Sequence, residues 1–64
     1  MVHTIPQHRI EFGAAGSIVL GWAAYASPEE ARAAFEVRSR LLGVGEVVAL
    51  YVAGELEADA ERIV

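Results

Sequence analysis

The feature that most constrains the fold of this chain is a single helix with clearly marked ends near its middle. Ser27 is a preferred N-cap residue, and Pro28 suits the first helical position, where its missing N–H costs nothing. Glu30 completes a capping box three residues after Ser27, and Gly43 is the residue type expected just after a helix. We therefore predict a helix from Pro28 to about Leu42.

The predicted helix has one apolar face and one charged face. The apolar positions recur at helical spacing and predict the side that packs on a core: Ala31, Ala34, Phe35, Leu41 and Leu42, with Val37 at the margin. On the charged face, Glu36 is four residues from both Arg32 and Arg40 and is expected to pair with them. Arg38 interrupts the apolar stripe. We expect its charged head to extend past the core into solvent, and burial against a carboxylate is the alternative.

Two extended segments precede the helix. His8 to Phe12 alternates in polarity, and Ser17 to Ala26 is rich in strand-forming residues after a turn at residues 13–16. Because Ser17 to Ala26 carries no charge on either face, we expect it in the centre of a sheet, covered on both sides or paired with another chain. Pro6 limits the extension of the first strand towards the N-terminus unless that strand lies at an edge.

Two further extended segments follow the helix. Glu46 to Val52 is a run of β-branched and aromatic residues that predicts a third strand, and Ala53-Gly54 predicts a turn. After the turn, acidic and mostly small apolar residues alternate, so a fourth strand would carry one row of carboxylates: Glu55, Glu57, Asp59 and Glu61. A helix is the alternative for this segment, although it would place like charges four residues apart.

The hydrophobic pattern also selects the loop between the third and fourth strands. A two-residue loop at Ala53-Gly54 would pair Leu50 with Glu57 and mix core and charge on one face. A three-residue loop that includes Glu55 pairs Leu50 with Ala58 instead and sets Tyr51 beside Glu57. We therefore predict the three-residue loop. The whole chain, residues 1–64, is predicted to form one small α+β domain of order β-β-α-β-β, an antiparallel sheet with one helix on one face.

The composition narrows the functional classes. The 64 residues carry a net charge of −4 without a single lysine, so nothing supplies the basic patch that direct nucleic-acid binding needs. Cysteine is absent, which excludes disulfides and thiolate metal sites. The apolar fraction of 55% and mean hydropathy of +0.37 are high for so short a chain. Either the core is unusually complete, or a partner or a second copy covers part of the surface.

No catalytic, metal or cofactor site is predicted. His3 and His8 would face opposite sides of a strand, and no serine lies in a nucleophile context. The uncharged stretch from Gly13 to Ala26 is fourteen residues long, whereas a membrane-spanning helix needs about twenty. Met1 to Phe12 lacks the pattern of a signal peptide, so we expect a cytoplasmic protein without membrane contact.

The acidic row is therefore the candidate functional feature. One interpretation is that its carboxylates dock on a basic protein surface, with the alternation imitating the charge spacing of a nucleic-acid backbone. The predicted partner-binding residues are Glu55, Glu57, Asp59 and Glu61, with Tyr51 and Glu46 on the adjacent strand. The alternative is that an edge strand uses outward charges to avoid aggregation, in a homodimeric structural or regulatory module.

In its size, acidity, lack of cysteine and α/β character, the chain resembles the small inhibitors encoded by phages and mobile elements, the anti-CRISPR proteins among them. Several of those imitate nucleic acid in charge and occupy the DNA- or RNA-binding groove of a CRISPR surveillance complex. The resemblance implies a non-enzymatic inhibitor that acts in the cytoplasm of a host cell. Its expected partner is a basic protein surface, such as a subunit of that complex.

Overall fold

The computed structural model describes residues 5–16 and 19–64. The elements follow in the order β1 (Arg9–Ala14), β2 (Val19–Ala24), α1 (Pro28–Arg40), β3 (Glu46–Val52) and β4 (Glu55–Glu61). The four strands form one antiparallel sheet in the order β2-β1-β3-β4. With α1 packed against one face of this sheet, the predicted α+β fold is confirmed, and the segment after Gly54 is a strand rather than a helix.

The start of α1 follows the capping chemistry of the sequence. Ser27 has extended backbone angles, and its Oγ accepts a hydrogen bond from the Glu30 N–H at 3.2 Å. The Glu30 carboxylate accepts one from the Ala26 N–H, also at 3.2 Å. Pro28 occupies the first turn, and Glu29 adds a second negative charge at the positive end of the helix dipole.

The end of α1 differs from the prediction. The helix stops at Arg40, with Leu41 as its C-cap, and Gly43 is not among the residues with a positive φ. Instead, Gly43 closes a turn with Glu46, whose Oε1 accepts the Gly43 N–H at 2.5 Å. Because the helix ends early, Leu41 does not continue the apolar face, and its side chain is 76% exposed.

The core lies where the central strands meet the helix. Ile10 of β1 and Val48 and Leu50 of β3 are at most 2% exposed, and Ala31 and Leu42 cover them from the helix side. Burying one such aliphatic side chain contributes about 1.5–3 kcal/mol. Half-buried neighbours complete the cluster and include Phe12, Ala34, Phe35, Ala58 and Ala60. The predicted apolar face of the helix is thus correct except at Leu41.

The position of β2 in the sheet is the main error of the sequence prediction. β2 was expected in the centre, whereas it lies at one edge and pairs only with β1 within the described residues. Leu20 and Trp22 are accordingly 75% and 57% exposed. A strand buried on both faces and an edge strand can both lack charged residues. The absence of charge alone therefore does not distinguish a central strand from an edge strand. Residues 17 and 18 of the predicted strand lie outside the described residues.

The sheet has one covered and one uncovered face. The closed face packs against α1 and carries Ile10, Phe12, Val48 and Leu50. Side chains alternate between the faces of a sheet. The neighbours of those residues therefore lie on the open face: Arg9, Glu11, Gly13, Val47, Ala49 and Tyr51.

Candidate functional site

The connection between β3 and β4 decides where the carboxylates of β4 point. Ala53 and Gly54 both have positive φ, at 54° and 81°, and Val52 pairs directly with Glu55. This is a two-residue hairpin turn of the type that requires positive φ at both positions. Its tip is fixed by the Gly54 N–H, which donates to the Gln7 carbonyl at 3.0 Å. The predicted three-residue loop is therefore wrong.

A β-bulge absorbs the difference between the two possible registers. Leu50 pairs with Ala58, as predicted, but Tyr51 pairs with Leu56, which leaves Glu57 as the extra residue on β4. Beyond the bulge, the predicted register holds: Val48 with Ala60, Ala49 with Asp59 and Val47 with Glu61. The chain thus has a two-residue turn and still pairs apolar residues of β3 with apolar residues of β4. Strict alternation of apolar and acidic residues along β4 would not allow both.

The bulge splits the acidic row between the two faces. Asp59 and Glu61 are paired with Ala49 and Val47, so they lie on the open face. Glu55 is paired with Val52, which alternates with Tyr51 and belongs to the closed-face set. The prediction that four carboxylates share one face is therefore wrong, because the extra residue reverses the alternation.

Glu57 is directed towards the helix and held there by Arg32. The two side chains form a bidentate ion pair, with Nε and one Nη of Arg32 each 2.8 Å from a carboxylate oxygen. This hydrogen bonding lowers the pKa of Glu57 below its ordinary value of 4.5 and raises that of Arg32. Arg32 was expected to pair with Glu36, but among the described residues the Glu36 carboxylate forms an ion pair with Arg40 alone, at 3.8 Å.

Glu46 also lies away from the open face. It is paired with Ala14 at the start of β3, in the alternating set of Leu50 and Val48, and its carboxylate binds the Gly43 N–H. Three of the six predicted partner-binding residues therefore point elsewhere or have structural partners, namely Glu46, Glu55 and Glu57. The other three, Tyr51, Asp59 and Glu61, lie together.

These three residues line a shallow groove of about 320 Å³ on the open face. Two of its open-face positions carry little side-chain bulk, namely Gly13 of β1, opposite Val47, and Ala49 of β3, opposite Glu11. Tyr51 and Glu11 line one part of the groove, and Asp59 and Glu61 of β4 line another. The groove is thus a mostly apolar depression with carboxylates around it.

Arg9 organises the other end of the open face. Its Nε donates to Glu11 at 2.8 Å, its Nη1 donates to the Pro6 carbonyl at 2.9 Å, and its guanidinium lies 4.0 Å from the Tyr51 ring centroid. The side chains of Arg9 and Glu11 are only 12% and 21% exposed. Arg9 therefore balances the charge of Glu11 and stacks on Tyr51 through a cation–π contact.

Asp59 and Glu61 have no such partner. Within residues 5–16 and 19–64, neither side chain takes part in an ion pair or a side-chain hydrogen bond. They are exposed carboxylates at two alternate positions of an edge strand. The open face therefore carries three carboxylates against one guanidinium, and the excess negative charge lies on β4.

Sequence reasoning missed the roles of Arg9, Glu11 and Trp22. Arg9 lies opposite Tyr51, and Trp22 opposite Glu11, only because β1 is the strand that separates β2 from β3. The alternation of Arg9 and Glu11 in the predicted first strand indicates that the two side chains share a face. It does not predict the strand order that brings them beside Tyr51.

Arg38 lies on the closed side, where its guanidinium is 4.3 Å from the ring centroid of Phe12. Arg38 is exposed, as expected, and forms no ion pair among the described residues, but its charged head stacks on Phe12 instead of extending past the core.

No three histidine, aspartate or glutamate side chains in the described part of the chain converge as metal ligands. His8 lies at the hairpin tip, where its Nδ1 accepts the Ala53 N–H at 3.3 Å, and His3 is outside the described residues. Among the residues that the structure covers, no helix is long and apolar enough to cross a membrane.

Comparisons of the chain with protein-family models, curated proteins and solved structures find no match.

Proposed function

We propose that this chain is a non-enzymatic protein-binding module whose open face binds a basic surface of a partner protein through Asp59 and Glu61. The observation that carries the proposal is a pair of carboxylates that have no partner among residues 5–16 and 19–64 and lie beside an apolar groove and an aromatic ring. Lysine and arginine side chains match such a site, since their stems are apolar and their heads are cationic.

Three acidic residues on β4, β3 and β1 support this assignment by their different environments. Glu57 is engaged by Arg32, Glu46 by the Gly43 N–H, and Glu11 by Arg9. An acidic residue with a structural partner loses that partner when it binds elsewhere. Asp59 and Glu61 would lose no partner from the described part of the chain, so they are the open-face carboxylates best placed to contribute net affinity.

A narrower form of the proposal is inhibition of a nucleic-acid-binding protein, such as a subunit of a CRISPR surveillance complex. Alternate strand residues lie about 6.6–6.8 Å apart, which is comparable to the separation of neighbouring phosphates. After the bulge, this imitation rests on Asp59 and Glu61 rather than on four carboxylates. The net charge of −4 favours approach to a basic groove.

Titration with an arginine-rich peptide tests the binding surface directly. We expect amide chemical shifts to change at Tyr51, Asp59 and Glu61, and affinity to fall at least about tenfold in Asp59→Arg and Glu61→Arg, as for the loss of a close charge pair. Glu55→Arg is the matched control, since it makes the same change in net charge on the same exposed strand but on the opposite face. Equal losses of affinity in all three variants would show that net charge alone causes the effect, and would contradict the proposal.

The narrower form is tested with a captured nucleic-acid-binding partner. If the chain occupies the nucleic-acid groove, duplex DNA or RNA that fits the groove will displace it in a concentration-dependent manner. Binding that survives saturating nucleic acid would place the contact outside the groove. Circular dichroism of each variant checks that the fold is intact.

A further inference from the structure

The second edge of the sheet, formed by β2, has the properties of a self-association surface. Its sequence from Val19 to Ala24 contains no charged residue, and within the described residues it pairs only with β1. Leu20 is 75% and Trp22 57% exposed, and the two residues lie at the edge where a further strand would add. This surface is separate from the acidic half of the open face and does not rest on the function proposed above.

The backbone of β2 presents hydrogen-bonding groups on its outer side. The Tyr25 N–H donates to the His8 carbonyl at 2.8 Å, so Tyr25 faces β1. Because facing direction alternates along an antiparallel strand, Ala23 also faces β1, and the N–H and C=O groups of Trp22 and Ala24 point outward. No described residue pairs with them on that side.

We propose that β2 pairs antiparallel with β2 of a second copy of this chain, about a two-fold axis at Ala23. In this register, Ala23 faces its own copy in a non-hydrogen-bonded pair, and Trp22 exchanges backbone hydrogen bonds with Ala24 of the second copy. Each indole then lies beside a methyl group, which leaves room for it on the open face. The pairing uses the regular part of β2 and avoids Leu20, the extra residue in the ladder with β1.

A second copy is the occupant that the charge pattern favours. Two β2 strands approach each other without any like-charge contact, whereas two β4 strands would bring acidic residues together. β2 lacks charge and proline, two of the usual features that keep edge strands from pairing, and its irregular residue Leu20 lies outside the segment that would pair. On the closed side, Leu20 continues this uncharged edge towards exposed Val37 and Leu41, with which it lines one groove.

Light scattering and sedimentation over a concentration series give the first test. We expect the wild type to approach twice its 6.9 kDa mass. The dimer dissociation constant should rise at least about tenfold in Trp22→Lys, as for the loss of a buried aromatic anchor. Trp22→Lys keeps a favourable neighbour in the monomer, because residue 22 lies opposite Glu11. Leu56→Lys is the matched control on the other edge, 53% exposed and on the open face, and we expect less than about a twofold change there.

Single-cysteine variants test the register, since the chain has no native cysteine. Non-hydrogen-bonded partners have Cα atoms about 4.5 Å apart, within the range of a disulfide, so Ala23→Cys should cross-link as a dimer under mild oxidation. Ala24→Cys should not, because its copies would be offset by two residues along the strands. A chain that stays monomeric up to about 1 mM overturns the proposal. Equal cross-linking of both variants, or a dimer unaffected by Trp22→Lys, overturns it as well.

Discussion

The two edge strands of the sheet, β4 and β2, differ in the features that keep an edge strand from pairing with another chain. β4 carries four acidic residues in seven positions, a bulge at Glu57 and an ion pair to the helix. These features keep an edge strand from pairing with other chains. β2 has no charge, and its Leu20 and Trp22 side chains are exposed. The comparison shows that the acidic residues of β4 differ in environment, since Glu57 is paired with the helix whereas Asp59 and Glu61 lie on the open face.

Within β4, the bulge gives neighbouring carboxylates different environments. Glu57, before the register is restored, is directed to the helix and bound by Arg32. Asp59 and Glu61, after it, lie on the open face without partners in the described structure. Neighbouring carboxylates in one strand thus have different roles because one extra residue changes the face.

The largest loss of stability is expected from a change in the core that β2 and β4 share. Leu50→Ala removes a side chain that is 2% exposed at the centre of the sheet, and we expect a loss of about 2–5 kcal/mol in the free energy of unfolding. Urea denaturation measures it. A loss confined to one edge, visible as two separate transitions in hydrogen exchange, would show that the edges do not share a cooperative core.

Gly21→Ala tests the packing on the β2 side. A Cβ at Gly21 would lie 2.7 Å from Cε2 of Phe12, whose ring also packs under Arg38. We expect a loss of about 1–3 kcal/mol from overpacking. The double variant Gly21→Ala, Phe12→Leu should lose less than the sum of the two single changes. Strict additivity would contradict the close approach.

Ala53→Asn tests the hairpin that leads into β4. Ala53 has a φ of 54°, a conformation that costs most residues about 1–2 kcal/mol but that asparagine tolerates. We expect a gain of about 0.5–1 kcal/mol in thermal denaturation, as at other sites where a residue is matched to its backbone conformation. Ala15→Asn is the control, since Ala15 is also an exposed turn residue but is not in the positive-φ region.

The smallest effect is expected from the Arg32–Glu57 pair, because both side chains are solvent-exposed and screened. The folded-state pKa of Glu57 is lowered, so its stabilisation is present above its ordinary pKa of 4.5 and is lost as the pH falls through the folded value. The melting temperatures of wild type and Glu57→Gln should therefore converge in acid. Glu55→Gln should show no such convergence, and a constant gap for Glu57→Gln would contradict the assignment.

Local chemistry made much of the fold predictable. The capping residues Ser27, Pro28 and Glu30 fix the start of α1, and β-branched residues mark β3. These signals act within a few residues, so they can be read without knowledge of the rest. The end of α1 was less readable, since the Glu46 carboxylate engages the Gly43 N–H and closes a turn outside the helix.

The candidate site was predictable only in part, for a related reason. Tyr51, Asp59 and Glu61 were correctly placed together because their alternation matches the strand period. Glu55 and Glu57 were misplaced because the turn geometry at Ala53 and Gly54 required a bulge that no periodic pattern encodes. The pairing of apolar residues and the two-residue turn require different registers, and the extra residue Glu57 on β4 makes both possible.

By itself, the sequence determined the number and order of the elements and the type of all but the last, since caps, turn residues and the period of hydrophobicity are local properties. For the last segment it left strand and helix open, and the structure forms a strand there. The tertiary structure alone decided the strand order β2-β1-β3-β4, which leaves the uncharged strand at an edge and sets Arg9 against Tyr51. It also decided which carboxylates face solvent and which face the helix. The physical reason is that strand order and register depend on contacts between distant segments, and the free energy of those contacts is shared by the whole core.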